Sequence, residues 1–243
     1  MPNPCDISSG CDLQGMLFII DFDGTVAPID TVDALLERFA DLEWRRIEEQ
    51  WVNGEINSRQ CMAAQIALVR GDRAALEDFL QSVVIDPSFA DFIHHVRPFA
   101  DIAVVSDGLD YPIVCALEPL RLPIAIFANS LKFRDDGLEI GFPYGDSACT
   151  VGSGVCKCAV ARSVNAGRGL FTILIGDGRS DLCIARSADH VFAKGALRSY
   201  CEAEGIVFTP FETFADVLTI VRGWNAHDYE GIPRESEWPL VPG

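Results

Sequence analysis

The stretch MLFIIDFDGTVAPIDT, residues 16–31, begins as an apolar run and ends in several acidic residues. Met16 to Ile20 are all apolar, a pattern typical of a strand that is buried on both faces of a parallel sheet. Asp21 and Asp23 follow directly, and residues two apart in a strand point to the same side. Two carboxylates so close repel each other unless a divalent cation binds between them or one stays protonated. The stretch therefore predicts a central strand with an acidic site at its carboxyl end.

Similar apolar runs recur in the second half of the chain and alternate there with helical patterns. This alternation predicts an α/β fold with a doubly wound, mainly parallel, Rossmann-like sheet that is covered on both faces. The further predicted strands are Ile102–Ser106, Ile124–Ala128, Phe171–Gly176, His190–Ala193 and Ile206–Phe208. The predicted helices are Val155–Val164, Ser180–Ser187, Ala196–Ala203 and Glu212–Val221. Residues 131–142 alternate around Asp136-Gly137, which predicts a hairpin beside the sheet.

Residues 31–92 lack a strand pattern and carry apolar residues at helical spacing instead. Val32, Leu35 and Leu36, for example, follow the spacing of a helix with one buried face. An insert at this point leaves the carboxyl end of the first strand, where open α/β sheets bind ligands, so we expect a helical cap over the site. The predicted division is an α/β core of residues 12–30 and 93–225, a helical cap of residues 31–92, and terminal arms of residues 1–11 and 226–243.

The composition indicates a folded protein with a strong negative charge. The chain has 243 residues, is 49% hydrophobic and carries a formal net charge of −17, which argues against binding to nucleic acid or to an anionic membrane. No apolar run approaches the roughly 20 residues that span a bilayer, and the first residues lack the pattern of a secretory signal. The nine cysteines are an odd number and lie mostly in apolar segments, as reduced thiols do. We expect a cytoplasmic protein without nucleic-acid or membrane partners, either a monomer or a homodimer.

A second acidic motif follows the predicted strand Phe171–Gly176. The sequence GDGRSD places Asp177 just past the strand and Asp181 four residues later. Because the carboxyl ends of neighbouring parallel strands meet at one edge of a sheet, these acids are expected to lie near Asp21. Such an oxygen-rich pocket suits Mg²⁺, which binds a few carboxylates together with water and phosphate oxygens.

Two more motifs suit a phosphate group. Ser106, Asp107 and Gly108 end another predicted strand and offer a hydroxyl and backbone N–H groups. Lys157 begins a predicted helix after a glycine-containing loop and offers a compact positive charge. These residues predict that the partner is a small phosphorylated metabolite.

The motifs DFDGT, SDG, the lone Lys157 and GDGRSD, in that order, resemble those of the haloacid dehalogenase-like hydrolase superfamily, in its phosphatase branch. The resemblance implies an Mg²⁺-dependent phosphatase that acts through an aspartyl-phosphate intermediate. It implies Asp21 as the nucleophile and Asp23 as the general acid/base. It also implies that Asp21, the backbone carbonyl of Asp23, and Asp177 hold the metal, while Asp181 orients its waters or Lys157.

A helical cap between the first two motifs resembles the phosphoserine phosphatase-like group. In that group a cap acid and a cap arginine hold the ammonium and carboxylate of the substrate. Asp30 matches the acid, whereas Gln65 stands in the place of the arginine. Ser180, a further candidate phosphate-binding residue, replaces a usual asparagine, and Asp107 replaces a usual glycine. These departures weaken the assignment of phosphoserine as the substrate.

The resemblance is closer to the methionine-salvage phosphatases of this group. It is carried by WVNGEIN (51–57), IDPSF (85–89) and YCEAEGIVFTPFETF (200–214). A methionine-salvage phosphoester is therefore the expected substrate. The alternatives are a phosphoserine phosphatase-like activity, or a phosphotransferase or mutase reaction from the same aspartyl-phosphate.

Other chemistries receive less support from the residues. CKCAVAR (156–162) and CALEPLR (115–121) fit the cysteine-x5-arginine pattern of thiol phosphatases, but both are predicted to be helical, without a phosphate-binding loop. A non-catalytic relative is expected to have lost Asp21 or Asp23, and both are present. The cysteines near Lys157 lack the second paired cluster of a structural zinc site. Trp44 and Trp51 are interpreted as packing residues of the cap.

Overall fold

The computed structural model describes residues 15–134, 137–149 and 152–224. The strands are β1 (Met16–Ile20), β2 (Ala100–Leu109), β3 (Ala125–Arg134), β4 (Gly137–Gly141), β5 (Phe171–Gly176), β6 (His190–Ala193) and β7 (Thr209–Pro210). The helices up to β3 are α1 (Thr31–Phe39), α2 (Trp44–Val52), α3 (Ser58–Ile66), α4 (Arg73–Gln81), α5 (Phe89–Val96) and α6 (Asp110–Leu117). The later helices are α7 (Lys157–Asn165), α8 (Leu182–Ala185), α9 (Gly195–Glu204) and α10 (Phe214–Arg222). Short 3₁₀ turns cover Glu118–Leu120 and Arg179–Asp181.

The strands form one seven-stranded sheet in the order β4-β3-β2-β1-β5-β6-β7. Strand β1 lies at its centre and pairs in parallel with β2 and β5, so that Ile19 lies between Ala103 and Leu174. Every pairing is parallel except that of β4 with β3. The predicted fold class, a doubly wound and mainly parallel α/β sheet, is confirmed.

The two faces of β1 bury different side chains, as the alternation of a strand requires. Phe18 and Ile20 belong to an apolar cluster that includes residues of α5, α6 and α10. Leu17 and Ile19 belong to a second cluster that includes residues of α7, α8 and α9. Helices therefore cover both faces of the sheet, which explains why MLFII is apolar at every position.

Helices α1 to α4 have an apolar cluster of their own. Leu35 and Leu36 of α1 pack there with residues of α2, α3 and α4. The same cluster contains Leu131 and Leu138 from the hairpin of β3 and β4, so the hairpin supports these helices. The hairpin prediction agrees with β3 and β4, although its turn at Asp136 lies outside the described residues.

Helix α5 belongs to the apolar cluster of the sheet, a different cluster from that of the four helices before it. Phe89 and Phe92 lie in the same cluster as Phe18, and the ring of Phe89 meets that of Phe214 at 4.9 Å between centroids. The predicted cap boundary at residue 92 thus falls inside α5. We propose that the cap ends before Phe89, and the predicted terminal arms lie outside the described residues.

Each helix in the described part of the chain is too short or too polar to cross a lipid bilayer.

Candidate active site

Three acidic side chains meet where β1 and β5 end side by side. The backbone N–H of Asp21 donates to the carbonyl of Ile175 at 2.9 Å, which continues the pairing of the two strands past β1. Asp21, Asp177 and Asp181 each place a carboxylate oxygen within 4.8 Å of the others. The sheet topology therefore brings the acids of the first and last motifs together, as the sequence predicts.

A buried lysine holds this cluster together. The Lys157 ammonium lies 2.8 Å from Asp21 Oδ1 and 2.6 Å from Asp181 Oδ1, and all three side chains are buried. Burial lowers the pKa of Lys157, but the carboxylates of Asp181 and Asp21 outweigh it and leave the pKa raised. Lys157 is therefore cationic at neutral pH and fixes one oxygen of Asp21.

The loop after β5 is shaped around Asp181. Its second oxygen accepts from the backbone N–H groups of Asp177 and Gly178, each at 3.2 Å. On the other side of the loop, the Thr25 hydroxyl donates to Asp177 Oδ1 at 2.8 Å. Gly24 has φ +73°, and a Cβ there would lie 2.2 Å from Asp177 Oδ2. The glycine of DFDGT is therefore needed to let Asp177 approach β1.

Asp23 has a different environment from Asp21, although only Phe22 separates them. Its Oδ1 accepts from the backbone N–H of Thr31 at 2.9 Å and from the Thr31 hydroxyl, and its Oδ2 faces the Ser106 hydroxyl at 3.3 Å. Burial, and then the charge of Asp30, raise the pKa of Asp23 to about 7, against the hydrogen bonds from Thr31. Asp23 is therefore poised to exchange a proton near neutral pH.

Ser106 and Gly108 lie beside this acid. The Ser106 hydroxyl accepts from the Gly108 N–H at 2.9 Å, within the part of β2 where its register against β3 shifts between Val105 and Leu109. A Cβ at Gly108 would lie 2.1 Å from Asp23 Oδ2, so only glycine permits this approach. The two residues face the site as the sequence predicts.

The Asp107 carboxylate is hydrogen-bonded to protein groups rather than left free for a phosphate. Its Oδ2 accepts from the Ser58 hydroxyl of α3 at 2.9 Å, and its Oδ1 accepts from the Val155 N–H at 2.9 Å. The Asn129 amide also donates to the Asp107 backbone carbonyl at 2.7 Å. Burial raises the pKa of Asp107 despite these hydrogen bonds. Asp107 joins the cap, the end of β2 and the loop before Lys157.

The acidic cluster fits a divalent cation. Burial raises the pKa of Asp21, with Asp181 and Asp177 adding to the shift against Lys157, and burial also raises the pKa of Asp177. One lysine thus does not balance three carboxylates, and a hard cation would supply the missing charge. Asp181 already receives hydrogen bonds on both oxygens, and the Asp23 carboxylate is bonded by Thr31. Asp21 and Asp177 are the carboxylates best placed as ligands.

A cavity of about 570 Å³ joins these residues to the cap. The predicted residues that line it are Asp21, Asp23, Asp30, Ser106, Asp107, Gly108, Asp177 and Ser180. Lys157 and Asp181 are buried and contact this wall through Asp21 and the loop of Asp177. The structure therefore places every candidate site residue in or directly behind one cavity.

Two cap residues that the sequence singles out have partners within the cap. Asp30 caps α1 by accepting from the N–H groups of Val32 and Asp33, at 3.0 and 2.9 Å, while it also lines the cavity. Gln65 is buried, and its amide donates to Glu48 Oε2 at 2.8 Å. Gln65 thus provides no positive charge for a substrate carboxylate.

Comparisons with known proteins agree with this geometry. A family profile described as haloacid dehalogenase-like hydrolase matches residues 18–186. A 2-hydroxy-3-keto-5-methylthiopentenyl-1-phosphate phosphatase of Exiguobacterium sp. (strain ATCC BAA-1283 / AT1b) is 34% identical over 211 residues, 85% of this chain and 97% of the relative. A protein of the same name from Bacillus pumilus (strain SAFR-032) is 31% identical over 90% of this chain and 92% of the relative.

The chain belongs to the haloacid dehalogenase-like hydrolase family. The resemblance seen in the four motifs is confirmed, and so is the class of enzyme, a phosphoric monoester hydrolase. A solved structure titled "Phospho-Aspartyl Intermediate Analogue of Phosphoserine phosphatase" superimposes with a TM-score of 0.64 at 21% identity, over 85% of this chain and 98% of the other. At that identity the structural likeness shows a shared fold.

In the described part of this haloacid dehalogenase-like hydrolase, the two cysteines that begin cysteine-x5-arginine segments are poor candidates for a competing nucleophile. Cys156 precedes α7 and is buried, and Cys115 lies within α6. Burial raises the pKa of both thiols, which disfavours the reactive thiolate. The prediction of helices holds for the first segment from Lys157 onward and for the second up to Leu117, after which a 3₁₀ turn covers Glu118–Leu120.

The sequence patterns missed several residues of the site in this family member. Thr31 holds Asp23, Ser58 holds Asp107, and Trp51 lines the cavity, where its ring lies below the guanidinium of Arg179. Trp44 is buried in the cap, as predicted, whereas Trp51 is only half-buried. These residues reach the site through the placement of the cap, which no local pattern encodes.

Proposed function

We propose that the protein is an Mg²⁺-dependent phosphatase that hydrolyses a small phosphorylated metabolite through an aspartyl-phosphate on Asp21. The observation that carries this proposal is the pairing of two differently held acids in one cavity. Asp21 is fixed by Lys157, and Asp23 has a pKa of about 7. One acid is thereby suited to attack and the other to proton transfer.

The first half of the reaction assigns one task to each acid. An oxygen of Asp21 attacks the phosphorus atom, and the bond from phosphorus to the leaving oxygen breaks. Asp23 gives its proton to that oxygen, so an alcohol leaves and an aspartyl-phosphate remains. Lys157 adds positive charge beside the nucleophile, and Ser106 offers a hydroxyl to the phosphoryl oxygens.

The second half returns the enzyme to its starting state. Asp23, now a carboxylate, takes a proton from a water molecule that attacks the phosphorus atom. The bond to Asp21 breaks and inorganic phosphate leaves. Asp21 and Asp177 would hold Mg²⁺, which neutralises phosphoryl charge when bound.

A methionine-salvage phosphoester is the substrate that the relatives favour for this proposal. Curated relatives that match this chain are named 2-hydroxy-3-keto-5-methylthiopentenyl-1-phosphate phosphatases. Gln65 is bonded to Glu48 and carries no charge, so the cap lacks an arginine there to pair with the carboxylate of phosphoserine. We therefore favour an ester without a carboxylate over phosphoserine. A cytoplasmic location, and the choice between monomer and homodimer, stay predictions from the sequence.

The mechanism is tested by Asp21→Asn. The amide is nearly the same size but is a poor nucleophile, so we expect kcat to fall by about 10³-fold or more, since removal of a catalytic nucleophile can cost up to about 10⁶-fold. The assay is release of inorganic phosphate from p-nitrophenyl phosphate and from a panel of phosphorylated metabolites. EDTA should abolish release and added Mg²⁺ should restore it.

Several outcomes would contradict the proposal. Near-normal turnover by a folded Asp21→Asn protein would exclude the aspartyl-phosphate route. Loss of turnover in Cys156→Ser with an unchanged melting temperature would favour a thiol mechanism. Transfer of labelled phosphate to an added sugar without phosphate release would indicate a phosphotransferase or mutase.

A further inference from the structure

An arginine of the loop after β5 contacts an aromatic residue of the cap. Arg179 lies two residues after Asp177, and its guanidinium carbon is 4.7 Å from the centroid of the Trp51 ring in α2. Both side chains line the cavity that contains Asp21. The pair is therefore a direct contact between the cap and the loop that positions Asp177.

The guanidinium of Arg179 can donate further hydrogen bonds. Arg186, which also lines the cavity, pairs with Glu204 at 3.0 Å. Within residues 15–134, 137–149 and 152–224, the Arg179 guanidinium forms no ion pair or hydrogen bond and lies over the Trp51 ring, while the Arg179 backbone carbonyl accepts from the Leu182 N–H. A guanidinium stacked on an aromatic face keeps its N–H groups free at the edge. Arg179 can thus donate to a molecule in the cavity.

The acidic residues on the cap side of the cavity limit the negative charge that a bound molecule can carry. Asp30, Asp33 and Glu48 line the same cavity. Burial, followed by the charges of Asp30 and Glu48, raises the pKa of Asp33 to about 6, so these acids act on one another. A carboxylate on the substrate would add to this repulsion. An uncharged carbonyl or hydroxyl oxygen would accept from Arg179 without it.

We propose that Arg179, held by the ring of Trp51, determines specificity by donating hydrogen bonds to uncharged carbonyl or hydroxyl oxygens on the carbon chain of the substrate. The inference rests on the proposed phosphatase function and narrows it to phosphomonoesters of oxygenated, uncharged chains. Arg179 takes no part in the chemical steps, and Trp51 acts through it.

The test compares two substrates with the same three-carbon chain, dihydroxyacetone phosphate and n-propyl phosphate. The readout is the ratio of their kcat/KM values, because only the first offers oxygens to Arg179. Arg179→Gln should lower this ratio about 10- to 100-fold, the usual effect of losing a hydrogen bond from a charged group. Arg179→Lys keeps the charge without the planar fork and should give an intermediate ratio.

Matched variants separate specificity from structure. Trp51→Leu should lower the ratio a few-fold, and Trp51→Phe, which keeps an aromatic face, should retain most of it. Arg198→Gln is the control, because Arg198 pairs with Glu202 on the exposed side of α9. It should leave the ratio at the wild-type value.

Each other outcome overturns the inference. An equal loss on both substrates in Arg179→Gln would make Arg179 a general or structural residue. A wild-type preference for phosphoserine that disappears in Arg179→Gln would show recognition of a carboxylate instead. If Asp21→Asn and the wild type are equally inactive on every ester, the proposed function itself fails. If the wild type is active and Arg179→Gln leaves the ratio of the kcat/KM values unchanged, the inference alone fails.

Discussion

At the scale of residues, two acids that the sequence makes equivalent are made different by their partners. Asp21 and Asp23 are separated by one residue, and strand periodicity gives no reason to distinguish them. Lys157 binds Asp21, whereas Thr31 and Ser106 bind Asp23. Lys157 opposes the rise that burial gives to the pKa of Asp21, whereas Asp23, with burial and uncharged donors, holds its proton to about pH 7.

The role of Asp23 as an acid predicts a dependence on the leaving group. Asp23→Asn cannot donate a proton, so kcat/KM for an alkyl phosphate should fall about 10²- to 10⁴-fold. The loss should be much smaller for p-nitrophenyl phosphate, whose leaving oxygen needs no proton. The quantity kcat/KM is measured because it reports the steps up to departure of the alcohol and excludes the later hydrolysis. Equal losses on the two substrates would remove Asp23 from the role of acid.

At the scale of elements, the sequence predicts the strands that carry the site better than those at the edge. Strand β5 and strand β6 have the predicted bounds, and α7 begins at Lys157 itself. The prediction of a strand at Ile206–Phe208 was wrong, because the pairing with β6 is made by Thr209–Pro210. Ile206 and Phe208 pack instead against the apolar cluster of α7 to α9. An apolar run shows burial, but an edge strand is defined by its hydrogen bonds.

The contacts between the cap and the core show why part of the site cannot be predicted from sequence patterns. Its helical character follows from periodicity, and α1 does follow β1 as expected. The contacts of Thr31, Ser58 and Trp51 with the core depend on how four helices pack on the hairpin of β3 and β4. Those contacts join residues far apart in the chain, and no spacing in the sequence encodes them.

The link between α3 and the core predicts an effect on substrate binding. Ser58→Ala removes the hydrogen bond to Asp107, whereas a hydrogen bond from the Arg59 N–H to the Gly152 carbonyl is retained at this end of α3. We expect KM to rise about 3- to 10-fold, the usual worth of one hydrogen bond, since a looser cap closes less often over the substrate. Steady-state kinetics check this.

Ser82→Ala is the control for that experiment. The Ser82 hydroxyl donates to the Phe79 carbonyl at the exposed end of α4, away from the cavity lining. Its KM should match that of the wild type. A fall in kcat of Ser58→Ala without a rise in KM would contradict a role in holding the cap.

At the scale of the whole molecule, the buried acids of the site are part of a strongly negative chain. The formal net charge is −17, and burial raises the pKa of Asp21, Asp23, Asp107 and Asp177. A carboxyl group with a raised pKa binds a proton more tightly in the folded state than in the unfolded state. Ionisation of these acids therefore lowers the free energy of unfolding. A bound cation would offset this loss most strongly when the acids are ionised.

This coupling predicts how stability without metal depends on pH. The pKa of Asp23 is about 7 in the folded protein against an ordinary value of 3.8, so between these values the folded state holds a proton that the unfolded state has lost. The slope of the free energy of unfolding against pH is proportional to the number of protons bound by the unfolded state minus the number bound by the folded state, and this difference is negative here. The free energy of unfolding should therefore fall as pH rises from about 4 to about 7.

The test is thermal unfolding in EDTA. The melting temperature should be higher at pH 6 than at pH 8, and Asp23→Asn should reduce that difference. Asp91→Asn, on the exposed face of α5, should keep the wild-type difference. A melting temperature that rises from pH 6 to pH 8 and is insensitive to Asp23→Asn would show that Asp23 ionises as easily in the folded chain as in the unfolded one.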